Sequence, residues 1–561
     1  TMRTASLMRL TSEISGELAA FSETNGLRDS LNSTFISLSD TDSESLSLIR
    51  DTGKDLSQTV VQLYEKFTDF TAPFYDTNEI LDRASEQIPT ISRQNLNKLG
   101  TFICYLAPHY SPRQIKLIRT ILHTCGGYVI VGAVGERPAD SILIRMIEAL
   151  GIHIEDRNRN VGQLGNGNVG LVLSTDATEE IRHITRKISA ASEHGTPFYR
   201  MAVVYGQEFP YHQLIEDELS LVDIPIFVPS GRKLKDTAPG RTLAGLLHLV
   251  GSEFPRHDLM DWIRNCPVDL GSSSLSPVEW DSISRAANVV SGGDQWVKKL
   301  LIYAKTKRDE SVDPKSDYSA ESIINSTNEE IKEIGRLITF IEKIIPDLSP
   351  YGLNTWHDHT QWLWNLLTKY LDESKLSEYD FKALSVLEDR INGLIHLDKM
   401  EPKPDIELLK FFVTDCLNTN VGQIGKFGSG VFVGPMRMAV GMSFDLTFIT
   451  GLSEGSFPAT KVEEPFLPDW LRSEAGGSAS GLPTRNEIAL RQRYEFLVML
   501  RTSKECVLSA PRGDLKEQRS IYPSKWFLEI ASNHAGYKIR STDLPKLITN
   551  DWLTVIPSKL A

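Results

Sequence analysis

The constraint that bites hardest is a recurring alternation between short, continuously apolar runs and stretches with helical spacing. The strongest run is Phe444-Asp445-Leu446-Thr447-Phe448-Ile449-Thr450, which empties into the glycine-punctuated loop Gly451-Leu452-Ser453-Glu454-Gly455. Strands buried on both faces read as unbroken apolar runs, and they belong to parallel sheets whose faces are covered by crossover helices. The same grammar recurs at Tyr128-Val129-Ile130-Val131, Gly170-Leu171-Val172-Leu173, Arg200 to Tyr205, Ile224 to Val228, Gly430 to Gly434 and Glu505 to Ser509. Helical segments lie between them: Ile115 to His123, Thr178 to Ala191, Tyr211 to Leu221, Thr242 to Val250 and Glu487 to Leu500. Two of these carry start signals. Pro112 follows Ser111 at an early helix position, and Asp176 stands three residues before Glu179 like a capping box. The fold class expected is therefore α/β with parallel sheets.

Two long regions break the alternation. Met8 to Lys98 is rich in Ser, Thr, Asp and Glu with apolar residues at helical spacing. Ser252 to Asn418 is dominated by charge, helical spacing and Trp280, Trp296, Trp356, Trp362 and Trp364. A chain of 561 residues exceeds one domain several-fold. The expected division is a helical region over 1–96, an incomplete α/β domain over 97–169, a second α/β domain split into 170–251 and 419–540, a helical insertion over 252–418, and a tail over 541–561.

Composition removes several classes. Hydrophobic residues make up 41% and charged residues 24%, as in soluble globular chains. No run of about 18 apolar residues exists, so no spanning helix is expected, and residues 1–10 lack the apolar core of a signal peptide. The opening Thr1-Met2 suggests a central fragment of a longer protein. Cys104, Cys125, Cys266, Cys416 and Cys506 form no CxxC pair, which speaks against a zinc ribbon or iron–sulfur cluster and for reduced thiols in a cytoplasm. A net charge of −13 argues against a generally basic coat for nucleic acid, though not against a local basic groove.

A phosphate loop needs GxxxxGK followed by Ser or Thr, so that backbone N–H groups and a lysine cradle the phosphates. Gly53-Lys54 is followed by Asp55, and Gly425-Lys426 by Phe427, so neither qualifies. The glycine-rich run Gly425 to Gly434 also lacks the strand–GxGxxG–helix setting of a dinucleotide site.

Ser443 to Pro458, with the strand, the Gly451-Leu452-Ser453-Glu454-Gly455 loop and Phe457-Pro458, resembles a stretch of the second RecA-like motor domain of UvrD-type superfamily-1 helicases. The nearest variant is that of AddB-type (RexB-like) subunits of bacterial helicase–nucleases. Asp176 to Ile188, Tyr199 to Pro239 and Arg519 to Leu528 resemble three further stretches of the family in the same order, so the likeness covers about 97–530. It implies RecA-like motor domains with large helical insertions. It also implies an AddB-like role in DNA end processing, double-strand-break repair and recombination, DNA (single-stranded or duplex ends) as ligand, and a UvrD- or AddA-like helicase–nuclease subunit as partner.

The departures imply a degenerate motor. Val440 stands where the family has lysine, Ser443 where a carboxylate is expected, and Arg501-Thr502-Ser503 replaces Thr-Arg-Ala, while Arg493 keeps one family arginine. Cys104-Tyr105-Leu106-Ala107-Pro108 stands where an acidic pair would hold Mg²⁺. The family's carboxyl-terminal nuclease domain is not in the chain, and Pro404-Asp405-Ile406-Glu407 and Asp514-Leu515-Lys516 read as solvated helix and loop. The motor motif thus survives as Asp445, Gly451, Glu454, Gly455 and Arg493 without a catalytic set. ATP and Mg²⁺ are expected to act only through regions or partners outside this chain, with neither metal nor membrane at the chain itself.

His357-Asp358-His359 invites a metal reading, but alternate residues on a helix diverge, and helix capping fits better. Trp280 near Arg285, and Trp296 near Lys298 and Lys299, read as core anchors before base-stacking platforms. If DNA is bound, the expected contacts are Lys426, Arg437, Arg232 and Lys233, across the carboxyl ends of the split domain's strands. The rival expectation is a protein-interaction scaffold with an inactive helicase-like fold.

Overall fold

The computed structural model describes all residues except 1, 15, 23, 73–76, 97, 99, 106–108, 153–168, 272–276, 313–319, 400–403, 460–462, 515–518, 548–550 and 557–561. The chain divides into two compact units. One comprises Thr1–Ala5 with Gly231–Gly422, the other Ser6–Ser230 with Gln423–Ala561.

The second unit carries the sheets. Its strands are β1 (Phe102–Tyr105), β2 (Gly127–Ile130), β3 (Val169–Ser174), β4 (Met201–Tyr205), β5 (Ile226–Phe227), β6 (Val431–Pro435), β7 (Phe444–Thr450), β8 (Ser503–Pro511), β9 (Gly513–Asp514), β10 (Arg519–Ser520) and β11 (Leu553–Val555). Seven of them form one sheet in the order β11-β3-β8-β7-β4-β6-β5, every pair parallel. The expectation of an α/β fold with a parallel sheet and helical insertions holds. Leu553–Val555, within the segment expected as a tail, is an edge strand of this sheet.

Helices cover both faces. Met201, Val203 and Tyr205 of β4 pack with Ile181, Ile184, Ile188, Ile215 and Leu219 of the Ala177–Glu193 and Tyr211–Ser220 helices. Ala202 and Val204 point the other way, into a core shared with Phe496 and Met499 of the Arg485–Thr502 helix and Phe527 of the Lys525–Ala535 helix. No β4 residue is more than 1% exposed, which is why its sequence shows no alternation. The start signals act as expected: Asp176 accepts from the Glu179 N–H, and Ser111 and Gln114 close a full capping box.

β1 and β2 form a separate two-stranded parallel sheet joined by the Pro112–Cys125 helix. Ahead of them, the helices Asn25–Ser39, Ser43–Thr52 and Asp55–Thr71 bury Leu31, Phe35, Ile49, Val60 and Val61 with Leu467, Leu471 and Leu482. The helical reading of this region stands.

The other unit is helical through its described residues apart from isolated bridges. Trp280 and Trp296 are its core anchors, 1% and 0% exposed, and the Trp296 indole N–H donates to the Phe254 carbonyl at 2.9 Å. Neither presents a face to a base. His357 and His359 lie in the Trp356–Tyr370 helix, where Asp358 closes a capping box with Thr355 and the His359 ring bonds the Thr355 carbonyl. Asp405 caps the Ile406–Leu417 helix by accepting from the Leu408 N–H.

Candidate functional site

Strand connections locate the edge of interest. The crossover after β4 leads toward β5 on one side, whereas that after β7 leads to β8 on the other. Adjacent parallel strands whose crossovers diverge open a crevice at their carboxyl ends, where open α/β sheets bind ligands. Here those ends are Tyr205-Gly206 and Thr450-Gly451.

Glu180 is the hub of this edge. It stands in the first turn of the Ala177–Glu193 helix and is fully buried. Its Oε1 accepts from the Gly451 N–H at 2.9 Å and from the Ser509 hydroxyl at 2.5 Å, and its Oε2 accepts from the Tyr211 hydroxyl at 2.8 Å. Burial pushes its carboxyl up to about 7, against the pull of those three donors. One carboxylate thereby ties together the ends of β7 and β8 and the starts of two helices.

The loop after β7 folds back over the crevice. Gly451 sits at φ +71°, and a Cβ there would lie 2.5 Å from the Tyr211 ring, so both conformation and space call for glycine. Phe457 packs onto Gly206 so closely that a Cβ there would fall 1.9 Å from its ring, and its other side meets Trp526. The loop is stitched to 522–524: the Glu454 N–H donates to the Tyr522 carbonyl and the Ser524 N–H to the Leu452 carbonyl. The Glu454 side chain and Gly455 are exposed. Beside them, Tyr205 and His212 share a hydrogen bond of 2.9 Å, and His212 lies 3.4 Å from buried Glu216.

All four stretches that carry the family resemblance therefore meet: Glu180 from the first, Tyr211 from the second, Gly451 to Phe457 from the third and 522–524 from the fourth. Sequence reasoning did not single out Glu180. A signal was present, because Glu180 shares a helical face with Ile184 and Ile188, where a charge stands out.

The other expected residues scatter. Asp445 opens β7 at the opposite, amino-terminal edge and is paired with Arg200 at 2.7 Å and Lys504 at 2.8 Å. Hydrogen bonds from these two cations hold its carboxyl down at about 2. Arg493 is gripped by Glu136 at 2.8 Å and Glu529 at 2.6 Å, and lies over the Trp526 ring. Of Cys104 to Pro108, residues 106–108 lie outside the described residues, as do Leu515 and Lys516 of the Asp514 triplet.

The four basic candidates are divided between the two units. Arg437 follows β6 and is exposed at the carboxyl edge, without a hydrogen bond or ion pair to any described residue. Lys426 precedes β6: Ile424 pairs antiparallel with Val228 beyond β5, so the segment runs back toward the amino-terminal ends. β6 thus separates Lys426 from Arg437 by its own length. Arg232 and Lys233 belong to the helical unit, where Lys233 bridges Asn420 and the Arg232 N–H donates to the Tyr379 hydroxyl. No group of three or more metal-ligating side chains exists among the described residues.

No family profile matches the chain. A curated relative does: over 355 residues the chain is 22% identical to the B-type subunit of the ATP-dependent helicase/deoxyribonuclease of Clostridium botulinum (strain Loch Maree / Type A3). The chain is similar to a helicase–nuclease subunit. The match agrees with the AddB-type resemblance of the four convergent stretches. It takes in 60% of this chain and 30% of that relative's length.

Proposed function

We propose that this chain is a non-motor, AddB-like part of a helicase–nuclease complex that processes DNA ends for double-strand-break repair. The observation that carries the reading is the convergence of the four family-like stretches around Glu180, taken with the similarity to a curated helicase/deoxyribonuclease subunit. A family-like core tied together by internal hydrogen bonds, in a sequence without a phosphate-loop lysine, is suited to architecture rather than turnover. Arg493 supports this, since two carboxylates already neutralise the one family arginine that the motif retains. In this reading ATP and Mg²⁺ act through regions or partners outside the chain, and the partner is a UvrD- or AddA-like helicase–nuclease subunit in the cytoplasm. No helix among the described residues is long and apolar enough to cross a membrane.

In the same proposal, single-stranded DNA runs along the carboxyl edge and meets Arg437, the exposed cation there. Lys426, at the amino-terminal end of β6, is not part of this contact. Affinity should be weak and steeply salt-dependent, because a chain of net charge −13 holds a polyanion only through local cations. Arg437→Glu should lower both the affinity and the salt slope in an oligonucleotide titration, while Lys426→Glu leaves the edge intact. Unchanged binding in Arg437→Glu removes DNA from this edge.

One observation favours a second reading, an interaction scaffold without nucleic-acid contact. Phe457 fills the crevice where a ligand would sit. Co-purification with a UvrD-like subunit, together with no measurable oligonucleotide binding, would select it.

A further inference from the structure

A cavity of about 580 Å³ lies away from the crevice, between the Pro112–Cys125 and Arg137–Ala149 helices, the first turns of the Arg485–Thr502 helix and the 478–483 loop. This volume falls within the usual range for small-molecule sites, roughly 300–1,000 Å³. Its floor is aliphatic, from Ile115, Ile142, Met146 and Leu490. Its rim is basic, with Lys116, Arg119, Arg145 and Arg491 against Glu148 and Glu487.

How those charges are paired is the informative part. Glu487 is fully committed: one oxygen takes Arg145 at 2.6 Å, and the other accepts from the Ser478 and Thr484 N–H groups. Lys116 reaches Asp82 at 3.4 Å. Arg119 and Arg491 are left with no hydrogen bond or ion pair to any described residue. His109 lines the same cavity without a hydrogen-bond partner among the described residues, and burial, then the Arg491 charge, push its imidazole down to about 4. Arg491 has only a longer-range electrostatic interaction, with Glu495, and four cations face the two carboxylates Glu148 and Glu487 around the cavity, which leaves the site net positive above its apolar lining.

We propose that this cavity binds a small amphipathic anion, a phosphate or carboxylate held between Arg119 and Arg491 with an apolar body on the Ile115, Ile142, Met146 and Leu490 floor. Guanidinium forks match such oxyanions bidentately, and a partly buried site strengthens the pairing. The headgroup chemistry is shared by alkyl phosphates or carboxylates and by nucleoside monophosphates, and the floor favours an aliphatic body. An arriving anion also opposes the Arg491 charge at His109, so the imidazole should titrate at higher pH in the complex.

The test is calorimetric titration of the whole chain with octyl phosphate, octanoate, adenosine 5′-monophosphate and inorganic phosphate. His109 is followed in parallel by proton NMR against pH. Saturable binding of one organic anion, at least tenfold tighter than inorganic phosphate and with an upward move of the His109 titration, supports the site. Octyl phosphate or octanoate binding tighter than the nucleotide assigns the aliphatic source, and the reverse assigns a nucleotide. Arg119→Glu with Arg491→Glu should weaken binding at least tenfold. Ile142→Trp, which fills the floor and leaves the rim charges alone, should do the same. Binding of no organic probe at millimolar concentration, equal binding of inorganic phosphate, or undiminished binding in both variants would overturn the proposal.

Discussion

The described residues hold two parallel sheets written in one grammar and finished very differently. In the seven-stranded sheet, β4 is sealed on both faces by helices. In the β1–β2 pair only one face is covered: Cys104 and Val129 join Ile118 of the connecting helix. The other face sets Ile103 beside Tyr128 and Tyr105 beside Ile130, all four exposed, Tyr128 by 67%. Unbroken apolar runs reported the covered state in the first case and overstated it in the second. A strand's sequence records which faces are apolar, whereas burial depends on what the rest of the fold lays against them.

The largest effect expected follows directly. Val203→Asp places a charge inside a doubly covered strand, where an unpaired carboxylate has no solvent and no partner, and should cost about 4–5 kcal/mol or more. Tyr128→Asp on the bare face should stay within about 1 kcal/mol. Urea denaturation midpoints compare them, and equal losses would mean that the bare face is covered in solution. Next comes the crevice. Gly206→Ala drives a methyl into the Phe457 ring and should cost about 1–3 kcal/mol. Phe457→Ala in the same chain should recover part of that loss, the signature of a direct contact in a double-mutant cycle.

Glu180 sharpens the contrast through pH. Its carboxyl is raised from 4.5 to about 7 in the folded chain, so the folded state keeps a proton that the unfolded state has released. Its contribution is therefore favourable at low pH and is lost as pH rises from about 4.5 to about 7, by on the order of 3 kcal/mol. Glu180→Gln should flatten that dependence and be the more stable protein at pH 8. Its amide oxygen can keep the Gly451 and Ser509 donors, while its NH₂ donates to the Tyr211 hydroxyl. A Gln variant that is less stable than the parent at pH 8 would mean that the carboxylate, not the acid, is what the site is built around.

These tests also mark how far the sequence reached. β7 emerged with its bounds intact at Phe444–Thr450, because seven consecutive residues with a buried pattern leave no other reading. Asp176 announced its helix through a local bond that needs no tertiary information. Glu180 stayed hidden although it lies inside a quoted stretch, since its three donors come from residues 31, 271 and 329 positions away. Lys426 and Arg437 were both expected at the carboxyl ends of the strands, and strand direction puts them at opposite ends of β6. The run Ile224 to Val228 announced the short strand Ile226–Phe227, whereas the edge strand Leu553–Val555 carries too few residues to show a pattern of its own.

The smallest effect belongs to the carboxylate at the amino-terminal edge, and it separates electrostatic visibility from stability. Asp445 carries a strong downward shift, to about 2, from hydrogen bonds to Arg200 and Lys504. Because the folded value lies below the ordinary 3.8, its stabilisation is present above pH 4 and drains away as pH falls toward 2. Yet Lys504 is 70% exposed and Asp445 itself faces water, so solvent and salt screen the pair and ordering the long side chains offsets part of the gain. Asp445→Asn should therefore cost no more than a few tenths of a kcal/mol at neutral pH, less in 0.5 M salt, and nothing at pH 2. Glu180 and Asp445 are both shifted carboxylates of the same sheet, but only the first is enclosed. A loss above about 1.5 kcal/mol for Asp445→Asn that persists in high salt would place Asp445 with Glu180 as a structural anchor and end the distinction between the two edges.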